Sequence, residues 1–331
     1  MNAPHTAAEI LTIQEKQALL VSALSPILAE DALLWQPEDT IPYECDGLAA
    51  YRKMPLAVAL PETEDQVVRI LKACHAMQIP IVPRGSGTGL SGGAMPIEQG
   101  LVLSLAKFKK ITKIDPFTRT AVVQPGVRNL AISEAVAKHG LYYAPDPSSQ
   151  IACSIGGNVN ENSGGVHCLK YGLTLHNVLR VRAVLMNGDV VEFGGMAPDA
   201  PGLDLLAVLI GSEGMLGIVT EITVKLVPKP KLARVIMASF NDIEKGGNAV
   251  AAIIAAGIIP AGLEMMDRAT TRAVEEFVHA GYDLDAEAIL LCESDGTPEE
   301  VEEEIARMNA VLEQQGASRI QVSQNEVERY A

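Results

Sequence analysis

The stretch Pro83-Arg84-Gly85-Ser86-Gly87-Thr88-Gly89-Leu90-Ser91-Gly92-Gly93 decides how this chain is read. It follows the apolar run Ile79-Pro80-Ile81-Val82, which predicts a strand. Five of the ten residues from Arg84 to Gly93 are glycine. Without a Cβ, the backbone can approach a ligand closely and adopt positive φ at little cost. Successive N–H groups can then converge on an anion, with Arg84 beside them for charge. The alternative is a plain glycine-rich surface loop, and the loop alone does not decide between the two.

Two familiar phosphate motifs fail on context. Residues 87–92 spell a literal G-x-G-x-x-G, but a dinucleotide fingerprint of that type opens a helix. Here Pro96 and Gly100 argue against a helix, and a new strand is predicted at Leu101-Val102-Leu103-Ser104. A Walker A loop needs Gly-Lys-Ser/Thr, and no Gly-Lys pair occurs in the chain.

Working outward, 331 residues suffice for two or three domains. The formal charge is −15, from 26 basic and 41 acidic side chains, which disfavours nucleic acid or an anionic membrane surface as a main partner. Lys107, Lys109, Lys110 and Lys113 read as a solvated face beside a strand. The five cysteines form no C-x-x-C pair, so a zinc or iron–sulfur site is not expected. Their odd, scattered count suits a reducing compartment. The N-terminal residues lack a signal-peptide pattern, and no apolar run is long enough to span a membrane. The expectation is a cytoplasmic protein.

Residues 7–34 are expected to be helical, broken at Pro26. A strand at 57–60 leads into a helix with Thr63 as N-cap and Val67, Val68, Ile70, Leu71 and Ala73 on its buried side. Further on come a strand at 121–124, a helix at 127–138 and a strand at 178–186. Asn187-Gly188 turns that strand into a hairpin with 190–193. A short helix at 204–210 and a strand at 218–226 follow. Beyond Pro228-Lys229-Pro230-Lys231 the pattern is β-α-β-α-β-α, then a strand at 319–322 and the start of another helix. The domain expectation is an N-terminal helical segment (1–54), a domain at 55–229 with subdomains 55–118 and 119–229, and a partial third domain at 230–331.

Two more glycine-rich stretches accompany the first. One is Pro145-Asp146-Pro147-Ser148-Ser149-Gln150-Ile151-Ala152-Cys153-Ser154-Ile155-Gly156-Gly157-Asn158-Val159-Asn160-Glu161-Asn162-Ser163-Gly164-Gly165. The other is Gly211-Ser212-Glu213-Gly214-Met215-Leu216-Gly217. Both offer backbone N–H groups and short polar side chains beside strands. Three such stretches within one domain's length suit a long polar ligand with the reach of a dinucleotide.

Together these motifs resemble the FAD-binding domain of the vanillyl-alcohol oxidase and p-cresol methylhydroxylase superfamily. Within it they are closest to the glycolate oxidase D subunits and the related FAD-dependent D-lactate and D-2-hydroxyglutarate dehydrogenases. The resemblance runs from about residue 33 to 331. It implies an α+β fold: a two-subdomain FAD-binding domain followed by part of a ferredoxin-like α/β cap. It implies that the backbone of Pro83, Arg84, Gly85, Ser86, Gly87, Thr88 and Gly89 cradles the FAD pyrophosphate. Asp146, Ser149, Cys153 and Ser154, with Glu161, Asn162, Ser163 and Gly164, would line the riboflavin and isoalloxazine side. Gly156, Gly157 and Asn158, which lie between them, would share the cofactor. Glu213, Gly214, Leu216, Gly217, Ile218 and Val219 would contact the adenosine half.

Relatives that bind FAD covalently use a histidine where this chain has Thr88, so a noncovalent cofactor is expected. His167 and His176 read as hydrogen-bonding residues of the fold. The family's histidine-bearing H-x-G-D-G-N and G-E-H-G segments do not occur. The chain is therefore expected to be C-terminally truncated, with no catalytic residue and no metal ligand assigned. Arg84, Tyr142, Tyr143 and Glu264 remain polar candidates. The implied chemistry is oxidation of a 2-hydroxy acid, glycolate or D-lactate, to the 2-oxo acid. Electrons would pass to iron–sulfur and second flavin-type subunits, which would also bring peripheral attachment to the inner membrane. A truncated, non-catalytic FAD-binding or assembly module is the alternative, and an NAD-binding dehydrogenase is disfavoured by the missing helix.

Overall fold

The computed structural model of the chain describes residues 11–197 and 202–330. They divide into two compact units. The first takes the residues up to His139, Ser149–Ser163 and Asn177–Leu226; the second takes Gly140–Ser148, Gly164–His176 and the residues from Val227 on.

In the first unit, helix Ile13–Leu24 starts at a capping box between Thr12 and Glu15. It stops before Pro26, as expected of a residue that cannot continue a helix. The rest of the expected helical stretch is different. Glu30–Ala32 is one 3₁₀ turn, and Leu33–Leu34 is a strand that pairs antiparallel with Ala57–Ala59. Leu33 is buried in the core there, so tertiary pairing overrides the helical propensity of the run. Residues 7–10 of that expectation lie outside the described residues.

The first sheet is ordered Leu33–Leu34, Ala57–Ala59, Leu101–Ser104, Ile81–Arg84, with the last three strands parallel. Ala57–Ala59 and Leu101–Ser104 are buried throughout, as parallel strands covered on both faces must be. Helix Glu64–Ala76 packs on this sheet. Thr63 caps it in a reciprocal box with Gln66, and Val67, Ile70, Leu71 and Cys74 are fully buried against Leu20 and Leu24. From Gly93 the chain reaches Leu101–Ser104 through turns, with no helix between.

The second sheet is antiparallel, ordered Ile111–Asp115, Thr120–Val123, Ile218–Lys225, Val178–Val184, Val190–Gly194. The hairpin turns at Asn187-Gly188, with Gly188 at φ +86°. Lys109, Lys110 and Lys113 are exposed, as expected of a solvated face, although Lys113 lies within the strand Ile111–Asp115 and Lys107 reaches Glu62 at 2.8 Å. Helix Asn129–Val136 was expected; helix Ile155–Glu161, inside the second glycine stretch, was not.

In the second unit the sheet is ordered Gly262–Asp267, Ala288–Gly296, Leu232–Phe240, Arg319–Val322, all antiparallel. Helices Ile243–Ala255 and Pro298–Gln314 cover one face. Ile236, Ala238, Phe240, Leu290 and Cys292 point into that core and meet Ala249, Ile253, Val301, Met308 and Leu312. The alternate residues Val235, Met237, Leu291 and Glu293 line a cavity of about 450 Å³ on the opposite face.

Candidate functional site

In the first unit the first and third glycine stretches come together with Ser149–Ser163 of the second. Strand Ile81–Arg84 delivers the loop of residues 85–93. Among the described residues, none of the backbone N–H groups of residues 86–93 donates a hydrogen bond. These donors have no partner among the described residues and none of the eight residues is buried, so the row is open to an acceptor from outside. Glycine is required at specific points. Gly87 sits at φ +69°, and a Cβ there would lie 2.5 Å from the Arg84 guanidinium. A Cβ on Gly85 would land on Ser154 Oγ, and one on Gly214 would land on Pro83.

Arg84 folds back so that its guanidinium lies against Gly87 of the loop. Its guanidinium donates to the carbonyls of Cys45 at 2.7 Å and Ala94 at 3.3 Å, and lies 5.6 Å from the Tyr43 ring centre. Burial lowers its pKa from the ordinary value, and Asp46, Cys45 and Tyr43 counter part of that shift. The side chain braces the loop from beneath.

The second stretch supports the first. Gly156 donates to the Pro125 carbonyl at 2.8 Å, and a Cβ on Gly156 would lie 2.5 Å from Pro125 Cβ. Gly157 stands beside Gly85. Ser149 accepts from Ala152 and Cys153, and buried Cys153 contacts Asn158 through sulfur. Asn158 is also held by Asn129 at 3.4 Å. Asn162 ends the helix in the left-handed region, and Ser163 donates to the Asn158 carbonyl at 3.0 Å.

The third stretch ties onto the same helix: Gly211 donates to Val159 and Glu213 to Asn160. The carboxylates of Glu161 and Glu213 converge on Gly93, 3.0 and 3.2 Å from where its Cβ would stand. Desolvation pushes the Glu161 pKa up, and Glu213 and Asp46 add to it. Leu216 is exposed, whereas Ile218 and Val219 are buried in the strand Ile218–Lys225. Thr88 and Gly89 present their carbonyls to Gly47.

Asp146 and Gly164 lie in the second unit. There the Asp146 carboxylate meets His167 Nδ1 at 2.6 Å and packs under Gly165. His167 Nε2 faces Glu293 at 3.4 Å, and Glu293 receives Arg329 at 2.8 Å. The hydrogen bonds to Asp146 and Glu293 raise the His167 pKa to about 10, so the ring is an imidazolium. Burial pushes Glu293 up, but bonds from His167 and Arg329 outweigh it and the net shift is downward. Beside it, Lys170 reaches Asp295 at 2.6 Å and Tyr171 donates to Asp295 at 2.7 Å. Burial pushes Tyr142 up to about 12. His176 accepts from the Leu173 N–H at 3.1 Å. Sequence reasoning did not single out Glu293 or Asp295. Two acids directly after the apolar run Ala288-Ile289-Leu290-Leu291-Cys292, in the same strand, were the available signal. Glu264 lines the cavity on the open face of the sheet.

The first unit's cradle fits an anionic dinucleotide. Unmet N–H donors, glycines that a Cβ would block, and the orphaned buried hydroxyl of Ser154 face one loop. Among the described residues no His, Cys, Asp and Glu side chains gather as a metal site, and no helix is long and apolar enough to cross a membrane.

Comparison with known proteins points the same way. A family model described as an FAD binding domain matches residues 55–194, and one described as the C-terminal domain of FAD linked oxidases matches residues 229–331. The glycolate oxidase subunit GlcD of Escherichia coli K12 is 60% identical over 297 residues, covering 90% of this chain and 60% of that protein. The subunit of the same name from Bacillus subtilis 168 is 45% identical, covering 87% and 62%. A D-lactate dehydrogenase of Anaerostipes hadrus is 34% identical, covering 82% and 59%. The chain thus spans about three-fifths of the length of these relatives. Among solved structures, alkyldihydroxyacetonephosphate synthase superposes with a TM-score of 0.79 at 20% identity, covering 93% of this chain and 61% of that one. p-Cresol methylhydroxylase with substrate bound gives 0.77 at 21% identity, covering 96% and 68%. These likenesses show the fold, which is the α+β type expected.

Proposed function

The chain belongs to the FAD-linked oxidases whose two domain models it matches, and from that premise we propose that it is the flavin-binding part of an enzyme that oxidises a 2-hydroxy acid to the 2-oxo acid. The observation that carries the reading is the row of unmet N–H donors at residues 86–93. FAD, when bound, supplies the chemistry by accepting a hydride from the substrate α-carbon. This chain's residues bind and orient it. The N–H groups of the loop hold the pyrophosphate by dipoles, which is how a chain of formal charge −15 can retain an anion. Arg84 keeps the loop's shape by tying it to the carbonyls of Cys45 and Ala94. Helix Ile155–Glu161 and the turn at Gly211–Gly214 brace it from the other side.

Thr88 cannot form the histidine-type link, so the cofactor is held noncovalently. Glycolate and D-lactate are the substrates proposed, from the names of the relatives. The E. coli and B. subtilis relatives are named as subunits, which supports electron transfer to partner subunits, iron–sulfur and flavin-type, as a further part of the proposal. Five unbridged cysteines suit a cytoplasmic setting. The test is anaerobic: the chain is loaded with FAD, and bleaching of the flavin by glycolate and by D-lactate is followed. Bleaching by either supports the reading; a loaded chain that neither substrate reduces favours the alternative, an FAD-binding module that does no chemistry of its own. Acid denaturation should release all the flavin to the supernatant, and yellow colour retained by the precipitate would refute noncovalent binding.

A further inference from the structure

Ser154 occupies the N-cap of helix Ile155–Glu161, yet its hydroxyl makes no capping bond. The residue is 3% exposed, and Oγ has no hydrogen-bond partner among the described residues. A hydroxyl buried in this way is costly unless something pairs with it. Its direction is set by its neighbours. Oγ fills the notch that Gly85 leaves by lacking a Cβ, and it lies 3.5 Å from the Cβ position of Gly157. It therefore faces the start of the loop whose next eight N–H groups, those of residues 86–93, are unmet. The far end of that loop is different. Glu161 and Glu213 bring carboxylates to Gly93, and Glu161 also approaches Gly89. Phosphate oxygens are repelled there and drawn towards the Gly85 end.

From this arrangement we infer that the Ser154 hydroxyl donates a hydrogen bond to a diphosphate oxygen of the dinucleotide at the Gly85 end of the loop, and does not serve the riboflavin side to which the sequence resemblance assigns it. The inference rests on the FAD reading and sharpens it. Gly85 is glycine so that this hydroxyl can stand beside the loop.

The test uses the flavin-free chain and three ligands: FAD by titration, with ADP and riboflavin as its competitors. Ser154→Ala should weaken FAD and ADP about tenfold or more, the loss expected for one hydrogen bond to a charged oxygen, and leave riboflavin unchanged. The flavin-free variant should melt no lower than the parent, because the deleted hydroxyl has no partner in the protein. A second variant keeps the serine. Gly85→Ala places a methyl where Oγ stands and should show the same selective loss of ADP over riboflavin. Adding Ser154→Ala to it should weaken ADP no further, because both changes remove one interaction. Loss of riboflavin with ADP unaffected would return Ser154 to the riboflavin side. Unchanged affinity for all three ligands, or full additivity of the two changes, would also overturn the inference while leaving FAD binding intact. A parent chain that binds no FAD would remove the functional reading itself.

Discussion

The first unit's glycine cradle and the second unit's charged cluster are both polar, and they differ in how their polar groups are spent. In the cradle, donors outnumber partners: the N–H groups of residues 86–93 and the Ser154 hydroxyl have none among the described residues. In the cluster, charges consume one another. His167 lies between Asp146 and Glu293, Arg329 holds Glu293, and Lys170 holds Asp295. Charge alone would have pointed to the second region as the place that binds an anion. Unmet hydrogen-bonding capacity points to the first.

The sharpest way to break this contrast is to remove one member of the self-satisfied set. Glu293→Ala leaves two cations facing each other's lost partner in a largely buried setting, where breaking a pair typically costs about 3 kcal/mol. Urea unfolding should show that loss, while FAD affinity of the folded fraction should stay at the parent value. Unchanged stability would mean that the cluster is solvated and energetically idle. The cradle is challenged by Gly87→Val, which meets the Arg84 guanidinium and must hold φ near +69°. It should weaken FAD by more than about 2 kcal/mol, since more than one charge-assisted bond is forfeited. Equal affinity in variant and parent, both folded by circular dichroism, would remove the loop from the site.

Proton linkage separates the regions more gently. His167 titrates at about 10 in the folded chain against an ordinary 6.5, so the folded state binds the extra proton between those values. Its stabilisation is complete below about pH 6.5 and is lost as pH rises towards 10. Glu293, shifted downward, contributes above the ordinary carboxylate range and loses its share as pH falls. Alkaline melting curves of parent and His167→Gln should therefore converge as pH rises; parallel curves would deny the imidazolium. The smallest effect expected is a control. Thr63 and Thr297 each cap a helix in a reciprocal box, one in each unit. Either change to alanine should cost about 1 kcal/mol and leave FAD affinity unchanged.

Much of the fold was legible because local signals and tertiary demands agree. Thr63 and Asn187-Gly188 each mark their element in sequence, and the structure uses both as written. Legibility failed where packing overrides propensity. Helix Ile155–Glu161 carries two glycines in its first turn, which local propensity disfavours. Gly156 is tolerated there because only glycine lets the helix rest on Pro125. Leu33–Leu34 looks helical and becomes a strand because Ala57–Ala59 offers it a partner. The three glycine stretches of the candidate site could be named from sequence. That they serve one ligand could be inferred as well, but not the contacts that join them, such as Gly211 to Val159, Glu213 to Asn160 and the Arg84 guanidinium against Gly87. The His167 cluster joins residues 21, 36 and 126 positions apart, beyond any local pattern.

The second unit is stitched from three separate lengths of chain, and this sets an order on its birth. Asp146, His167 and Lys170 leave the ribosome more than a hundred residues before Glu293 and Asp295, their partners from the last-made length. Until then those early segments have no sheet to join, and the unit cannot close as it is synthesised. No single cut can excise it either. A fragment starting at Val227 would keep Arg329 for Glu293 but would carry Asp295 without Lys170.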